Sequence, residues 1–320
     1  MTTRTALCAW TLATTAALTA TLTTTLAAAQ GPAPIPVSTG LPQGTYASMF
    51  KDLSEICGAA AGLALVEKPA SGSDESIDRL LRNEVSAAFV QTDVLHARRT
   101  TEDLGGVKAL VALHPEPVHL LALTEPLLEG GVLGLGGRKV HFNTLGDLGK
   151  RRVGAWGGAL VTARLVQLQA EVDFRVTEFN GPEDAMQALR ARRIDAVLAV
   201  GGAPLAWMRG LDRSVKLLSV PEPWAGKLRH VYRPATLRYS HLGTQSVATV
   251  ATEAVLAVRD VRSAAAAAPL LRLRTCLQQE LDQLRDTVGR HSAWAQVDAT
   301  AMPHWPVFER SSGRATTAKN

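Results

Sequence analysis

The sequence predicts an α/β protein built from two lobes. Apolar strand-like and helical segments alternate in the order β-α-β-α-β from residue 37 to residue 113, which is typical of a parallel sheet covered by helices. A second alternation of the same kind begins at residue 151 without repeating the first sequence. The length of 320 residues is sufficient for two such lobes, each with its own core.

The positive charges of the chain are spread thinly. The formal net charge is +5, and the basic residues form doublets such as Arg98-Arg99, Arg151-Arg152 and Arg192-Arg193, with no longer run. Proteins that bind nucleic acids cluster such residues on one face or one helix. We therefore expect no nucleic-acid partner.

The N-terminus has the pattern of an export signal. Arg4 supplies a positive start, residues 6–26 are nearly free of charge, and Ala27-Ala28-Ala29 resembles a cleavage site. The sequence predicts a cleaved signal peptide at residues 1–29, with an uncleaved anchor as the alternative. No later segment has the roughly 18 consecutive apolar residues of a membrane span, so we expect an exported, soluble protein.

Removal of the signal would leave two cysteines, Cys57 and Cys276. An oxidising compartment favours one disulfide between them, and two separate buried thiols are the alternative. The chain has no C-x-x-C motif, and His114 and His119 lack the helical spacing of zinc ligands. We expect no metal and no cofactor.

The first alternation begins with a strand at 37–39 and a helix over Tyr46–Ala60, whose apolar residues recur at helical spacing. Ser73 is a candidate N-cap of the next helix. The segment Pro115-Glu116-Pro117 predicts a break between two strands. The other predicted elements of this part are strands at 62–67, 85–90, 106–113 and 118–124 and helices at 74–83 and 93–100.

The second alternation starts at residue 151 and is followed by a predicted helix at 247–260 and an amphipathic helix at 270–285. Its predicted elements are strands at 151–155, 174–179, 196–200 and 215–220 and helices at 160–169, 182–192 and 205–211. We expect lobe 1 to comprise 30–126 and 230–310, lobe 2 to comprise 127–229, and 311–320 to be a disordered tail. The hinge strands would be 118–124 and 230–234.

Polar turns follow three strands of the first alternation: Gly40 to Tyr46, Ser71-Gly72-Ser73, and Gln91 to Asp93. Ligands of open α/β sheets bind at the carboxyl ends of the strands. Glycine lets the backbone approach a ligand, and the free N–H groups of a helix N-terminus favour an oxygen anion. The turns therefore predict a cleft for an anion or a small polar molecule.

Five segments together resemble the TAXI family of solute-binding proteins, which serve tripartite ATP-independent periplasmic (TRAP) transporters. They are Thr39–Tyr46, Ser71–Ile77, Phe89–Asp93, Leu113–His119 and Gly201–Pro204. The resemblance implies a two-lobed periplasmic-binding-protein fold of the class II type, with a hinge and a ligand between the lobes. It also implies a small carboxylate ligand, membrane permease subunits as partners, and a periplasmic location.

The second-lobe loop at 154–160 departs from the family pattern because it lacks the usual Ser/Thr hydroxyls. Trp156 in this loop would either wall or stack in the cleft or pack in the core. The predicted ligand-binding residues are Thr39, Gly40, Gly44, Thr45, Tyr46, Gly72, Ser73, Gln91, Asp93, Trp156, Gly157, Gly158, Ala203 and Pro204.

The sequence contains no G-x-S-x-G motif and indicates no other pairing of a nucleophile with a base. We therefore expect a binding protein that captures a small organic acid or amino acid and is not an enzyme. The alternatives are a ligand-sensing module of a signalling receptor and, less favoured, an enzyme on the same fold.

Overall fold

A computed structural model describes residues 33–130 and 137–309 of the chain. The predicted signal peptide at 1–29 and the predicted tail at 311–320 lie outside the described residues. Among the residues that are described, no helix has the length and apolar character needed to cross a membrane.

The first alternation of strands and helices forms as predicted. It begins at a buried strand and ends in a strand of 17 residues. Its elements are β1 Ile35–Ser38, α1 Thr45–Ala61, β2 Leu65–Lys68, α2 Ser73–Leu81, β3 Ala87–Gln91, α3 Thr92–Arg98 and β4 Val107–Leu123.

The second alternation also forms, after a short antiparallel hairpin. A 3₁₀ helix at Ala206–Gly210 takes the place of the helix predicted at 205–211. The elements are β5 Leu127–Glu129, β6 Arg138–Val140, β7 Arg152–Ala155, α4 Gly158–Ala170, β8 Arg175–Glu178, α5 Pro182–Arg190, β9 Ala196–Val200, β10 Val215–Leu218 and α6 Trp224–Leu228. The C-terminal part contains β11 Arg233–Leu237, β12 Val247–Arg259, α7 Ala264–Gln279 and α8 Leu281–Asp286.

The two lobes have sheets of the same strand order. The first sheet runs β2-β1-β3-β12-β4, and the second runs β8-β7-β9-β4-β10. In each, three parallel strands are followed by an antiparallel strand, which is β12 in the first sheet and β4 in the second. The strand β4 pairs in both sheets. The shared order confirms the two-lobed α/β fold of the class II type.

The strand β4 is continuous, so the prediction of a break at Pro115-Glu116-Pro117 was wrong. A proline lacks a backbone donor but has a φ compatible with an extended chain, and sheets accept it at bulges and edges. Pro115 lies beside a bulge in the pairing with β12, and Pro117 is the last residue paired with β12. Val118 then pairs with Val200 of β9, so the prolines stand where β4 passes from one sheet to the other.

The helix predicted at 247–260 is the strand β12, so this prediction was also wrong. The segment is rich in alanine, which favours helices, but Val and Thr occupy six of its positions and favour strands. It lies between β3 and β4 and is buried on both faces, so the alternation that marks a half-exposed strand is missing.

The boundary predicted after residue 229 stays a prediction. Tyr232 and Val250 pack in the core of the second lobe, and so do Leu237 and Tyr239. Beyond them, Ala254 to Val258 pair with β3 of the first lobe. We therefore propose that the second crossing between the lobes lies within β12.

The C-terminal helices α7 and α8 pack against α1 of the first lobe. Cys57 and Cys276 form a disulfide with a Cα–Cα distance of 5.8 Å, which confirms the disulfide over two separate thiols. The amphipathic helix predicted at 270–285 is divided between α7 and α8. All five leucines of its predicted apolar face are buried in the first-lobe core: Leu270, Leu273, Leu277, Leu281 and Leu284.

Removal of the disulfide should lower the free energy of unfolding. The two cysteines are 219 residues apart, and closing a loop of that size restricts the unfolded chain by about 5 kcal/mol in the chain-entropy model. The variant Cys57→Ala/Cys276→Ala should therefore unfold at a lower urea concentration, as should the reduced wild type. Equal midpoints for the variant and the oxidised wild type would contradict this expectation.

Candidate functional site

A cavity of about 410 Å³ lies between the two lobes, and the N-termini of four helices meet in its wall. Gly44, Gly72, Gly157 and Gly181 are the N-cap residues of α1, α2, α4 and α5, and all four line the cavity. No described residue gives any of these caps a side-chain cap hydrogen bond. The first-turn N–H groups of helices from both lobes are therefore available to a bound anion.

Most of the predicted site residues come together in this cavity. Ten of the fourteen line it: Gly40, Gly44, Thr45, Tyr46, Gly72, Ser73, Gln91, Trp156, Gly157 and Gly158. Thr39 lies outside the lining; it is buried, and its hydroxyl donates to Oε1 of Glu67 at 2.9 Å. The remaining three, Asp93, Ala203 and Pro204, also lie outside the lining of the cavity.

Ser73 is the first residue of α2 and not its N-cap, so that prediction was wrong. Gly72 occupies the cap because the backbone turns there against the second lobe. The hydroxyl of Ser73 instead accepts a hydrogen bond from the backbone N–H of Gln91 at 3.1 Å. It lies 3.4 Å from Oε1 of the Gln91 side chain, to which it donates. Ser73 therefore links the ends of α2 and β3 at the cavity wall.

The lobes touch through glycines. A Cβ added to Gly72 would lie 2.6 Å from the backbone nitrogen of Gly158, and one added to Gly157 would lie 2.6 Å from the carbonyl oxygen of Ser71. Gly157 also has a φ of 51°, in the left-handed region that favours glycine. A Cβ on Gly158 would lie 2.0 Å from Oε1 of Gln91. Only glycines allow the two backbones to approach this closely.

The variant Gly72→Ala should prevent this approach without damaging the first lobe. The φ of Gly72 is 162°, which is extended backbone that alanine adopts, and the three atoms nearest to the added methyl group all belong to the second lobe. Spin labels on Lys51 of α1 and Leu168 of α4, both exposed, should show a longer distance in Gly72→Ala than in wild type. Gly243→Ala is the matched control, because a Cβ there meets no atom within 4 Å. Identical distance distributions in all three proteins would refute the contact.

Asp93 joins the lobes without lining the cavity. Its carboxylate is fully buried at the start of α3 and accepts hydrogen bonds from Oγ1 of Thr162 at 2.6 Å and from the hydroxyl of Tyr232 at 2.9 Å. Its other oxygen accepts from the N–H of Val94 at 2.9 Å. Burial raises the pKa of Asp93 to about 6, against the opposing effect of these donors.

The raised pKa of Asp93 predicts a specific pH dependence. A carboxyl whose pKa is higher in the folded than in the unfolded state contributes stability below pH about 4, and this stability is lost as the pH rises through about 6. Asp93→Asn should therefore gain stability relative to wild type between pH 4 and 7, measured by urea unfolding. Tyr232→Phe removes a donor to the Asp93 carboxylate and should raise the pKa of Asp93 further. The loss of stability in this variant should therefore extend to a higher pH than in wild type. Parallel profiles for wild type and Asp93→Asn would count against this assignment.

The floor of the cavity carries a buried acid that sequence reasoning missed. Glu116 lies on β4 with 2% of its surface exposed, and its Oε2 accepts a hydrogen bond from the hydroxyl of Tyr46 at 2.9 Å. Burial and the negative charge of Glu116 raise the pKa of Tyr46 well above its usual value, so this hydroxyl keeps its proton. Nε2 of His114 lies 3.2 Å from Oε1 of Glu116.

An aromatic wall closes one side of the cavity. Trp156 and Trp207 both line it and meet edge to face, with ring centroids 5.6 Å apart. The hydroxyl of Tyr239 accepts from the N–H of Leu205 at 2.8 Å and lies 2.9 Å from Nε2 of His119. Burial lowers the pKa of His119 to about 4, so its ring is neutral at pH 7. Through Tyr239, this ring supports the backbone at Leu205, just before Trp207.

Four lining residues had weak signals in the sequence or none. Gly181 follows the strand β8 and opens α5, which is the same pattern as Gly72 and would have been recognisable. Glu116 lies in the segment Pro115-Glu116-Pro117, whose prolines predict a strand break and hide its place in the site. Trp207 and His291 reach the cavity from a 3₁₀ helix and from the C-terminal part, and no local pattern marks them.

Comparisons with known proteins return structural similarities only. No family model matches the chain, and no curated protein matches its sequence. A solved ancestral arginine-binding protein bound to arginine is 14% identical, with a TM-score of 0.48 over 79% of this chain and 94% of that one. The substrate-binding protein of an amino acid ABC transporter is 12% identical, with a TM-score of 0.47 over 81% and 100%.

A periplasmic domain of another solved protein has a similar degree of likeness. The periplasmic VFT2 domain of Bordetella pertussis BvgS is 12% identical, with a TM-score of 0.47 over 83% of this chain and 93% of that one. At such identities and TM-scores, these similarities do not bear on the ligand or the partner of this chain.

Proposed function

We propose that this chain is an exported solute-binding protein that captures a small organic acid or amino acid between its two lobes. The observation that supports the proposal most directly is the meeting of four glycine-capped helix N-termini, two from each lobe, in one cavity. A negatively charged group held there would receive hydrogen bonds from both lobes at once.

Capture would work through a difference in affinity between an open and a closed arrangement. The contacts of Gly72 with Gly158 and of Asp93 with Thr162 exist only when the lobes are together. A ligand that touches both lobes binds this arrangement better than an open one and shifts the population toward it. The two crossings between the lobes, in β4 and in the proposed part of β12, would act as the hinge.

The resemblance to the TAXI family supports delivery of the ligand to the membrane permease subunits of a TRAP transporter. A ligand-sensing module that reports to a signalling receptor would use the same cavity and the same closure. The two functions differ in the partner of the closed form. Permease genes beside the gene for this chain would favour transport, and a neighbouring sensor kinase would favour sensing.

Substitutions of two hydroxyl-bearing residues that line the cavity, Thr45 and Ser73, test the proposed site. A thermal-shift screen of amino acids and organic acids would first identify a ligand of the wild type, which should raise the unfolding temperature. Thr45→Ala should then weaken its binding, because a lost charge-assisted hydrogen bond costs about 1.5–3 kcal/mol, or roughly 10- to 150-fold in affinity. Ser73→Ala should also weaken it, because the Ser73 hydroxyl holds the backbone and side chain of Gln91 at the cavity wall. Calorimetry is the measurement.

Thr101→Ala is the control, because this hydroxyl is exposed after α3, away from the cavity. Small-angle scattering should also show a smaller radius of gyration when the ligand saturates the wild type. Unchanged affinity in both cavity variants would make the site assignment wrong, and an unchanged radius of gyration would argue against hinge closure.

A further inference from the structure

The charges around the cavity restrict the ligand further than the helix N-termini do. Among the described residues that line it, the Asp, Glu, Lys, Arg and His side chains are those of Glu116, Glu183 and His291. Burial and the neighbouring His114 lower the pKa of His291, so its ring is neutral at pH 7. No described lysine or arginine lines the cavity. An anion in the cavity would therefore be held by backbone N–H groups and by uncharged polar side chains such as Thr45, with no basic side chain beside it.

Glu116 is a buried carboxylate without a strong cationic partner. Tyr46 donates to one of its oxygens, and the contact at the other comes from His114, 3.2 Å away. Both ring nitrogens of His114 lack a hydrogen-bond partner among the described residues. A buried carboxylate is costly unless it is paired and fully hydrogen-bonded. A cation in the cavity would supply the missing partner.

The helix N-termini are unequal as anion sites. The first turns of α2 and α5 contain acidic residues, namely Asp74, Glu75, Glu183 and Asp184. The first turns of α1 and α4 contain none. Because a first-turn carboxylate offsets the positive end of the helix, α1 and α4 offer the stronger positive potential to a ligand. These two helices belong to opposite lobes.

We infer that Glu116 is the cation subsite of this cavity and selects a zwitterionic amino acid with a single carboxylate. The ligand ammonium donates to Glu116, and the ligand carboxylate accepts from the N-termini of α1 and α4. The ligand side chain lies against Trp156 and Trp207. A second carboxylate would find no basic side chain among the described lining residues, so dicarboxylates are disfavoured. The inference depends on the proposed function and narrows its ligand class.

The test uses probes in matched pairs on the mature protein. The amino acids are L-alanine, L-leucine, L-phenylalanine, L-glutamine and L-arginine, each beside the same acid without its amino group, and L-glutamate represents the dicarboxylates. Calorimetry on the wild type should find at least one of the five amino acids bound. Its amine-free counterpart should bind at least roughly 30-fold more weakly, and L-glutamate should bind more weakly than the best neutral or basic amino acid.

The variant Glu116→Gln keeps the shape of the side chain and removes its charge. It should weaken the best amino acid by at least roughly 10-fold and leave the amine-free counterpart no weaker than in wild type. Glu125→Gln is the matched control, because that side chain is 82% exposed and does not line the cavity. The wild-type comparison of paired probes needs no variant, so it remains decisive if Glu116→Gln fails to fold.

The outcomes separate the two proposals. An amine-free acid that binds the wild type as tightly as its amino acid and closes the lobes would leave the proposed function standing and overturn the cation subsite. Full affinity of Glu116→Gln for the amino acid would do the same. If neither series nor L-glutamate binds the wild type, the cation subsite and the proposed capture of acids and amino acids both fail.

Discussion

The arrangement of the molecule depends on one strand that belongs to two sheets. Residues Val107 to Pro117 of β4 pair with β12 in the first lobe, and Val118 to Leu121 pair with β9 in the second. Because the backbone hydrogen bonds of both lobes are anchored in the same strand, the change of partners at Pro117 and Val118 fixes where a hinge can lie. Glu116 is adjacent to this point, so in the proposed closure the floor of the cavity would stay near the axis while the helix N-termini in its walls would move.

The glycine caps serve two physical needs with one residue type. A cap without a side chain leaves the first N–H groups of its helix free for a ligand, whereas Ser, Asp or Asn would satisfy one of them internally. It also allows backbone to meet backbone across the cleft, as Gly72 and Gly158 do. The second need is the stricter one at Gly72, because its φ of 162° is open to other residues and only the opposite lobe excludes a side chain.

The parts of the site that follow local rules were predictable from the sequence. Gly44, Gly72 and Gly157 each join a strand end to a helix start, and that pattern is visible without knowledge of the fold. The strand β12 was not predictable, because its burial between two other strands removes the alternation that marks strands and leaves an alanine content typical of helices. Glu116 and Asp93 show the same limit, since what distinguishes them is the surroundings that distant segments provide.

Asp93 and Glu116 are buried acids near the hinge, but of the two only Asp93 accepts hydrogen bonds from the second lobe. Asp93 has donors from Thr162, Tyr232 and Val94, so its hydrogen bonds are satisfied only while the lobes are together. The contacts between lobes also include a hydrogen bond from Gln296 to the carbonyl of Ala203 and the packing of Val161 of α4 against the first-lobe core. A ligand shifts a protein from 1% closed to 99% closed when its binding free energies for the open and closed arrangements differ by about 5.5 kcal/mol. Two to four charge-assisted hydrogen bonds from the second lobe, at about 1.5–3 kcal/mol each, are of that size. The N-terminus of α4 can therefore supply, through a ligand held by the first lobe, the free energy that the proposed closure requires.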